Sequence, residues 1–161
     1  MNSQTPTPNE WRAAMGYFPS GVTVVTSWET DAPIGSTVSA FCSVSLEPPL
    51  LLVCLDRSNP TRGAIERCGV FGVNILSAES RDIALRFGMI GDADRFRATP
   101  YRARPGGAPQ LEAAPVFIDC ILESAHDAGD HLIMVGRGAR IDRIGVAAPL
   151  VYHAGGFLEP A

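Results

Sequence analysis

Residues 34–45 read Ile-Gly-Ser-Thr-Val-Ser-Ala-Phe-Cys-Ser-Val-Ser, and this stretch decides how the rest of the chain is interpreted. The mixture of apolar and hydroxyl-bearing residues predicts one strand over Ile34–Ser45. Successive side chains of a strand point to opposite faces, which predicts two different faces here. One face is expected to carry Val38, Ala40, Cys42 and Val44. The other is expected to carry Thr37, Ser39, Phe41, Ser43 and Ser45.

The hydroxyl-bearing face suggests a ligand site. Serine and threonine hydroxyls both donate and accept hydrogen bonds, so they can meet the polar, uncharged edge of a ring without adding charge. An ordinary solvated strand face is the alternative, and this segment alone does not exclude it.

The segments on either side of this strand supply more strands than helices. The chain is expected to turn at residues 30–33 and again at 47–49. The run Leu50–Leu55 is continuously apolar, which predicts a strand buried on both faces. The further strands are expected at Val22–Trp28, Val70–Leu76, Val116–Ala125, His131–Ile141 and Pro149–Tyr152. The helices are expected at Asn9–Tyr17 (with Asn9 as N-cap), Pro60–Arg67 and Ala78–Phe87, and a long loop at Ala98–Gln110.

The connections between these strands determine the fold class. Residues 127–130 read Asp-Ala-Gly-Asp, which predicts a hairpin turn between two strands. A doubly wound parallel sheet would need a crossover helix between most strands, whereas hairpin-length connections dominate here. Six or seven short strands with few helices therefore predict a barrel or a sandwich.

Composition limits the possible functions. The chain has 161 residues, which predicts one domain over residues 9–161 after a disordered leader at residues 1–8. Charged residues make up only 19%, so a symmetric dimer is expected to bury further surface. The net charge of −4 argues against nucleic-acid binding, and no apolar run approaches the roughly 20 residues of a membrane span. The first residues contain no export signal, which predicts a cytoplasmic protein.

Four cysteines occur without a CxxC pair, so a zinc ribbon or thioredoxin-like site is not expected. They are interpreted as small buried hydrophobic residues.

A second candidate site follows the apolar run, at residues 56–61. Pro60 suits the first position of a helix, with Asn59 or Ser58 as its cap. A helix start offers free N–H groups and the positive end of the dipole, so it binds phosphate readily. Thr61 could add a hydroxyl, and Arg57 or Arg62 a charge. The alternative is a plain helix cap after a strand.

Two further motifs do not support other chemistries. His126 and His131 flank the hairpin turn but lack a third ligand at a recognised spacing, so no metal site is predicted. His131 is interpreted as a neutral side chain beside a ligand or at a hairpin end. Gly136-Arg137-Gly138 resembles the start of a dinucleotide fingerprint, but Ile141 stands where the third glycine belongs and the strand continues.

Taken together, the segments from Trp11 to Phe157 resemble the short-chain flavin reductase family, the reductase components of two-component flavin-dependent monooxygenases. The segments that carry the resemblance are Phe18–Thr26, Gly35–Phe41, Ser43–Leu50, Phe71–Leu76, Arg86–Gly88, Gly129–His131 and Pro149–Tyr152. The order and spacing of these short pieces make the set specific.

The resemblance implies a mostly β fold, a split β-barrel of the antiparallel Greek-key, FMN-binding type with a few peripheral helices. It also implies a homodimer with flavin near the subunit interface. The implied flavin-binding set is Ser36, Thr37, Val38, Ser39, Ala40, Ser45, Cys54, Leu55, Asp56, Ser58, Asn59, Thr61, Phe87 and Gly88. Ser58, Asn59 and Thr61 would bind the phosphate, and Thr37 and Ser39 would stabilise charge on the reduced ring. His131 and Tyr152 are the implied nicotinamide-binding residues.

The implied activity is NAD(P)H:flavin oxidoreductase. Such an enzyme reduces FAD or FMN by hydride transfer and supplies the reduced flavin to a separate oxygenase. The flavin carries the chemistry, so no catalytic side chain and no metal are expected. NADH is preferred over NADPH because no basic cluster for a 2′-phosphate is visible. Two alternatives stay open: a permanently bound flavin that reduces another acceptor, and a flavin- or haem-binding split barrel without activity.

Overall fold

A computed structural model describes residues 5–89 and 94–158 of the chain. The strands are β1 (Ser20–Gly21), β2 (Thr23–Glu29), β3 (Ala32–Val38), β4 (Phe41–Ser45), β5 (Leu50–Asp56), β6 (Val70–Ile75), β7 (Tyr101–Arg102), β8 (Gln110–Leu111), β9 (Val116–Ala128), β10 (His131–Arg143), β11 (Val151–His153) and β12 (Gly156–Phe157). The helices are α1 (Pro8–Gly16), α2 (Pro60–Cys68) and α3 (Arg81–Gly88), with a 3₁₀ turn at Ala78–Ser80.

Seven strands form one antiparallel sheet in the order β3-β2-β6-β9-β10-β5-β4. The chain-adjacent strands β3 and β4 therefore lie at opposite edges of this sheet, and the sheet has to curl to bring them together. This curled, mostly β sheet confirms the predicted split β-barrel. The short strands β1, β11 and β12 form a separate three-stranded sheet, and β7 pairs with β8.

The predicted single strand Ile34–Ser45 is broken at Ser39 and Ala40, and this prediction was wrong. The amide of Phe41 donates to the carbonyl of Ser39 at 2.9 Å, which turns the chain between β3 and β4. Val38 is buried in the core and Phe41 packs against the same cluster, although strict alternation would place them on opposite faces. The break resets the alternation because β3 and β4 pair with different strands, β2 and β5.

The apolar run in β5 is buried on one face only. Leu51, Val53 and Leu55 face the core, whereas Leu52 and Cys54 are half-exposed. Burial on both faces was therefore a wrong prediction, because α2 and α3 pack mainly on β2, β3 and β6.

The N-terminal helix starts earlier than expected. Thr7 is its N-cap, and the capping box pairs Thr7 with Glu10, so Asn9 lies inside the helix. Residues 1–4 of the expected leader lie outside the described residues. Over the part of the chain described, no helix is long and apolar enough to span a bilayer.

The core has two parts. One lies inside the curled sheet and contains Val53, Phe71 and Met134; the other lies between the sheet and α3 and contains Leu76, Phe87 and Leu150. Gly136 lets β10 approach the ring of Phe71, since a Cβ there would come within 2.8 Å of Phe71 Cε1. This contact gives the glycine-containing segment of β10 a packing role, as expected for a strand rather than a nucleotide-binding loop.

The cysteines agree only partly with their interpretation as buried hydrophobic residues. Cys120 is buried, Cys54 is half-exposed, and Cys42 and Cys68 are exposed; all four are unpaired. Cys42 lies on the edge strand β4 and Cys68 on the last turn of α2, where little of the chain covers them.

The predicted loop Ala98–Gln110 holds the short strands β7 and β8 and is tied to the sheet by buried polar groups. Asn74 accepts from the amide of Leu111 at 2.7 Å, and the Thr26 hydroxyl donates to the carbonyl of Pro109 at 2.6 Å. The amide of Ala108 donates to Asp119 at 3.0 Å. These bonds fix the second half of the loop against the barrel.

Candidate functional site

The carboxyl end of β5, the first residues of α2, the start of β10 and the break after β3 converge on one region of the barrel. His131 lies directly opposite Asp56 in the ladder between β10 and β5. The amide of Cys54 donates to the carbonyl of Ala40 at 3.0 Å, which joins β5 to the break. Three sequence-distant segments, residues 39–40, 54–61 and 131, thus meet at one end of β5.

Asp56, Asp130 and His131 form a carboxylate–histidine cluster, whose ligand-type atoms lie within 4.8 Å of one another. Asp130 Oδ1 is 2.7 Å from His131 Nδ1, and this hydrogen bond, with the nearby imidazole charge, lowers the pKa of Asp130. Asp56 Oδ1 accepts from the Ser58 hydroxyl and the Ser58 amide, and these bonds lower the pKa of Asp56. Both carboxylates are therefore ionised beside His131 at neutral pH.

His126 does not join this cluster. It lies opposite Ile133 in the ladder between β9 and β10 and hydrogen-bonds to Ser124 at 2.9 Å. The two histidines of the hairpin thus have different hydrogen-bond partners.

The start of α2 is capped as predicted, but its polar groups are already engaged. The side-chain oxygen of Asn59 accepts from the amide of Thr61 at 2.9 Å and from the hydroxyl of Ser36 at 3.1 Å. The Thr61 hydroxyl is fully buried and bonds to the Ser36 hydroxyl at 2.9 Å. These bonds join Ser36, Asn59 and Thr61 into one network that fixes α2 against β3.

Arg57 and Arg62 do not supply free charge at this helix start. Arg57 bonds to the β9–β10 hairpin through Gly129 and Asp127. Arg62 donates to the carbonyl of Arg57 and pairs with Glu66. Their suggested role as phosphate ligands is therefore not supported by the observed contacts.

The break between β3 and β4 exposes Ser39 and Ala40, whereas Thr37 is engaged. The Thr37 hydroxyl donates to the carbonyl of Ala84 in α3 at 2.7 Å, so it can only accept from a ligand. Gly88 at the end of α3 lies beside Thr37, since a Cβ there would be 3.9 Å from Thr37 Cβ. The Ser39 hydroxyl makes no hydrogen bond among the described residues, so it is available to bind a ligand.

Several residues of the implied flavin-binding set do not present their side chains here. Val38, Leu55 and Phe87 are buried in the core, so only their backbones are available. Ser45 pairs with Leu50, at the opposite end of β5 from Asp56. Tyr152 belongs to the small sheet with β1 and contacts Phe157, and in the described residues no bond joins it to His131.

The outer side of the sheet carries a further feature that sequence reasoning missed. In the antiparallel ladder Cys54 lies opposite Ile133, and Leu52 opposite Val135. Directly opposite residues share a face, so these four half-exposed side chains form one apolar surface, called the outer strip. The spacing of Ile133 and Val135 along β10 could have indicated this apolar surface. The strand that pairs with β10 and completes the surface could not be identified from the sequence.

The outer strip ends at the carboxylate–histidine cluster, because His131 and Asp56 are the next pair on the same face of this ladder. Burial raises the pKa of the Cys54 thiol, so Cys54 acts here as an apolar neutral group. An apolar wall beside hydroxyl, carboxylate and imidazole groups suits a planar ligand with one apolar and one polar edge.

Comparison with known proteins places this site in context. A family model described as "Flavin reductase like domain" matches residues 15–160. The reductase subunit HsaB of a flavin-dependent monooxygenase from Rhodococcus jostii is 37% identical over 155 residues, covering 95% of this chain and 79% of that protein. An NADH-dependent flavin reductase from a Rhodococcus species is 38% identical over 155 residues, covering 94% of this chain and 85% of that protein.

A solved structure shows the same architecture. The NADH:FAD oxidoreductase SgcE6 of Streptomyces globisporus, in complex with NAD and FAD fragments, superposes with a TM-score of 0.89. The two are 28% identical, with 99% of this chain and 98% of that chain covered.

Proposed function

This chain belongs to the flavin reductase family, and we propose that it oxidises NADH, reduces free FAD or FMN and releases the reduced flavin to a separate oxygenase. As a family member it is an NAD(P)H-dependent oxidoreductase that acts on flavin. The observation that carries the finer proposal is the outer strip, which runs directly into the carboxylate–histidine cluster beside the exposed break at Ser39 and Ala40.

The donor set at this place fits a flavin. The isoalloxazine ring has an apolar dimethylbenzene end and a polar pyrimidine end. The outer strip, with Cys54 nearest the break, offers the apolar contact. Ser39 and the exposed backbone around Ala40 offer hydrogen bonds to the polar end.

The phosphate of the flavin has fewer available partners than the sequence suggested. Thr61 is buried, Arg57 and Arg62 are engaged, and both donors of Ser58 bond to Asp56, which leaves the side-chain amide N–H groups of Asn59 at the start of α2. We place the phosphate near Asn59, where the positive end of the helix dipole adds a favourable field.

The chain's own groups bind and orient the reactants rather than react with them. A bound flavin supplies the hydride-accepting chemistry. Positioning two reactants in one site removes much of the entropic barrier to their reaction. His131 keeps Nε2 without a partner among the described residues, while Nδ1 is held by Asp130, so Nε2 is the group we assign to the nicotinamide carboxamide. Tyr152 is not bonded to His131 within the described part of the chain. We therefore propose that Tyr152 contacts the nicotinamide from another subunit of the assembly.

We propose that the assembly is a homodimer. The nine-residue helix α1 buries none of its residues within its own chain, and Trp11, Met15, Tyr17 and Phe18 are each more than half exposed. A helix this short is marginal in water unless other surfaces cover it. A second copy that covers α1 and part of the outer sheet face would stabilise it. Light scattering should give twice the chain mass of 17.1 kDa, and a monomer at micromolar concentration would contradict this assembly.

The oxygenase partner and the location follow from the same chemistry. Reduced flavin reacts readily with oxygen, so a separate flavin-consuming oxygenase is the partner that we propose.

NADH is regenerated in the cytoplasm, and four unpaired cysteines are usual there, so we propose a cytoplasmic enzyme.

The decisive experiment follows NADH and NADPH oxidation at 340 nm with FAD and with FMN, in all four combinations. Rapid oxidation that requires added flavin is the expected result. The main alternative is a permanently bound flavin, and a desalting column distinguishes it from the proposal. A dissociable flavin is lost on the column, whereas a prosthetic group is retained. Flavin binding without nucleotide oxidation would show a binding protein instead.

A further inference from the structure

We propose that Arg57 is a positioning residue, which holds the hairpin turn that carries Asp130 and His131 and so sets the imidazole for nicotinamide binding. The inference rests on the proposed function, because it takes His131 as the nicotinamide-binding side chain. Arg57 itself contacts neither substrate in this assignment.

Arg57 bonds to the turn at three points. Its amide donates to the carbonyl of Asp130 at 3.0 Å, its side-chain Nε donates to the carbonyl of Gly129 at 2.8 Å, and its Nη2 lies 2.7 Å from Asp127 Oδ1. The guanidinium group presents donors in a fixed planar fork, so one side chain can hold a carbonyl and a carboxylate together. Three of the four residues of the turn are thus held from the loop between β5 and α2.

The hydrogen bond from Arg57 to Gly129 affects the orientation of His131 through the peptide unit between Gly129 and Asp130. The Gly129 carbonyl belongs to the planar peptide unit that leads into Asp130, so holding this oxygen also sets the orientation of the Asp130 backbone. Asp130 Oδ1 in turn lies 2.7 Å from His131 Nδ1. Gly129 has a φ of +64°, a conformation available to glycine at little cost, and an unrestrained glycine would leave this turn loose.

The individual contacts differ in weight. The Arg57–Asp127 pair is exposed to solvent, so it contributes little by itself. The backbone bond from residue 57 to Asp130 survives any substitution of the side chain except proline. Arg57→Ala therefore removes mainly the Nε–Gly129 contact, and we expect it to leave the barrel folded while loosening the turn.

A double-mutant cycle tests the assignment. We expect Arg57→Ala to raise the KM for NADH about 5-fold, less than the loss of His131 itself, because the turn is loosened and the His131 side chain is kept; the flavin KM should be unchanged. In a His131→Ala background the same substitution should have almost no further effect, because residues that act through one another are not additive. Arg57→Lys lacks the fork and should recover the KM only in part.

Arg137→Ala provides the matched control. Arg137 lies on β10, is half-exposed like Arg57, and pairs with Glu123 of β9 at 3.2 Å, away from the turn. It should leave both KM values unchanged. Additive effects of Arg57→Ala and His131→Ala, or an equal effect of Arg137→Ala, would overturn the proposal.

A second readout does not depend on activity. The chain has only three histidines, so the imidazole Cε1–H signal of His131 can be assigned by NMR. Arg57→Ala should shift or broaden this signal and Arg137→Ala should not; an unchanged signal would overturn the proposal. If the chain failed to oxidise NADH with flavin, the proposed function would fall, and the NMR comparison would still decide whether Arg57 orders His131.

Discussion

His131 and Asp56 lie directly opposite each other in the antiparallel ladder between β10 and β5, although 75 positions separate them in the sequence. The pairing brings the hairpin turn after β9 to the start of α2, and it places an imidazole between two carboxylates. The predictions below test what this pairing and the neighbouring strands do.

The first prediction concerns the nicotinamide assignment. His131→Ala should raise the KM for NADH about 10-fold and leave flavin affinity unchanged, because one hydrogen bond to the carboxamide is lost. Steady-state rates at varied NADH and a separate flavin titration measure the two effects. An unchanged KM in His131→Ala would remove the proposed role.

The second prediction concerns the cysteines. Burial raises the pKa of Cys120 to about 12, so at pH 8 only about one molecule in ten thousand carries its thiolate. Iodoacetamide followed by mass spectrometry should therefore label the exposed Cys42 and Cys68 first, Cys54 more slowly and Cys120 last.

Cys54 also reports on the flavin site. If the ring lies on the outer strip, added FMN or FAD should slow the labelling of Cys54 several-fold and leave Cys68 unaffected. Labelling of Cys54 at the same rate with saturating flavin would place the ring elsewhere.

The third prediction concerns acid stability. The bonds from Ser58 lower the pKa of Asp56 in the folded chain, so below the ordinary carboxyl value of about 3.9 the unfolded chain binds more protons. The contribution of Asp56 to stability is therefore present above that pH and lost as the pH falls through the lower folded value. Asp56→Asn should unfold at a lower temperature than the parent chain at pH 6.

Circular dichroism melts between pH 2.5 and 7 measure this difference. The gap in Tm between the parent chain and Asp56→Asn should shrink below about pH 4. A gap that stays constant to the lowest pH would show that the carboxylate charge is not its source.

The fourth prediction concerns close packing in β10. Gly136→Ala should destabilise the barrel by about 1–3 kcal/mol, because the new methyl group meets Phe71 Cε1 at 2.8 Å and Cys120 Cβ at 3.0 Å. Gly138→Ala is the matched control two positions along, where the nearest atom lies 3.8 Å away. Urea unfolding of both variants gives the comparison, and equal midpoints would contradict the packing argument.

Local signals in the sequence predicted some features well. The Asn59 cap of α2 and the turn at Gly129 depend on residues within a few positions of each other, so their chemistry is visible in the sequence itself. Segment order also predicted the mostly antiparallel barrel, because short connections favour neighbouring strands.

Other features depend on partners far along the chain. The bond from Thr37 to the carbonyl of Ala84 spans 47 positions, and that from Arg57 to Gly129 spans 72. Neither partner is visible from composition or periodicity, so Thr37 was expected to donate to a ligand and Arg57 to bind phosphate. The break at Ser39 was missed for the same reason, since it arises where two sheet edges meet.

That break gives the barrel a seam only two residues long, Ser39 and Ala40, with one edge of the seven-stranded sheet on each side. A flavin bound at the proposed site would contact both edges across the seam. We therefore expect the loaded protein to exchange the backbone amides of β3, β4 and β5 more slowly than the empty one.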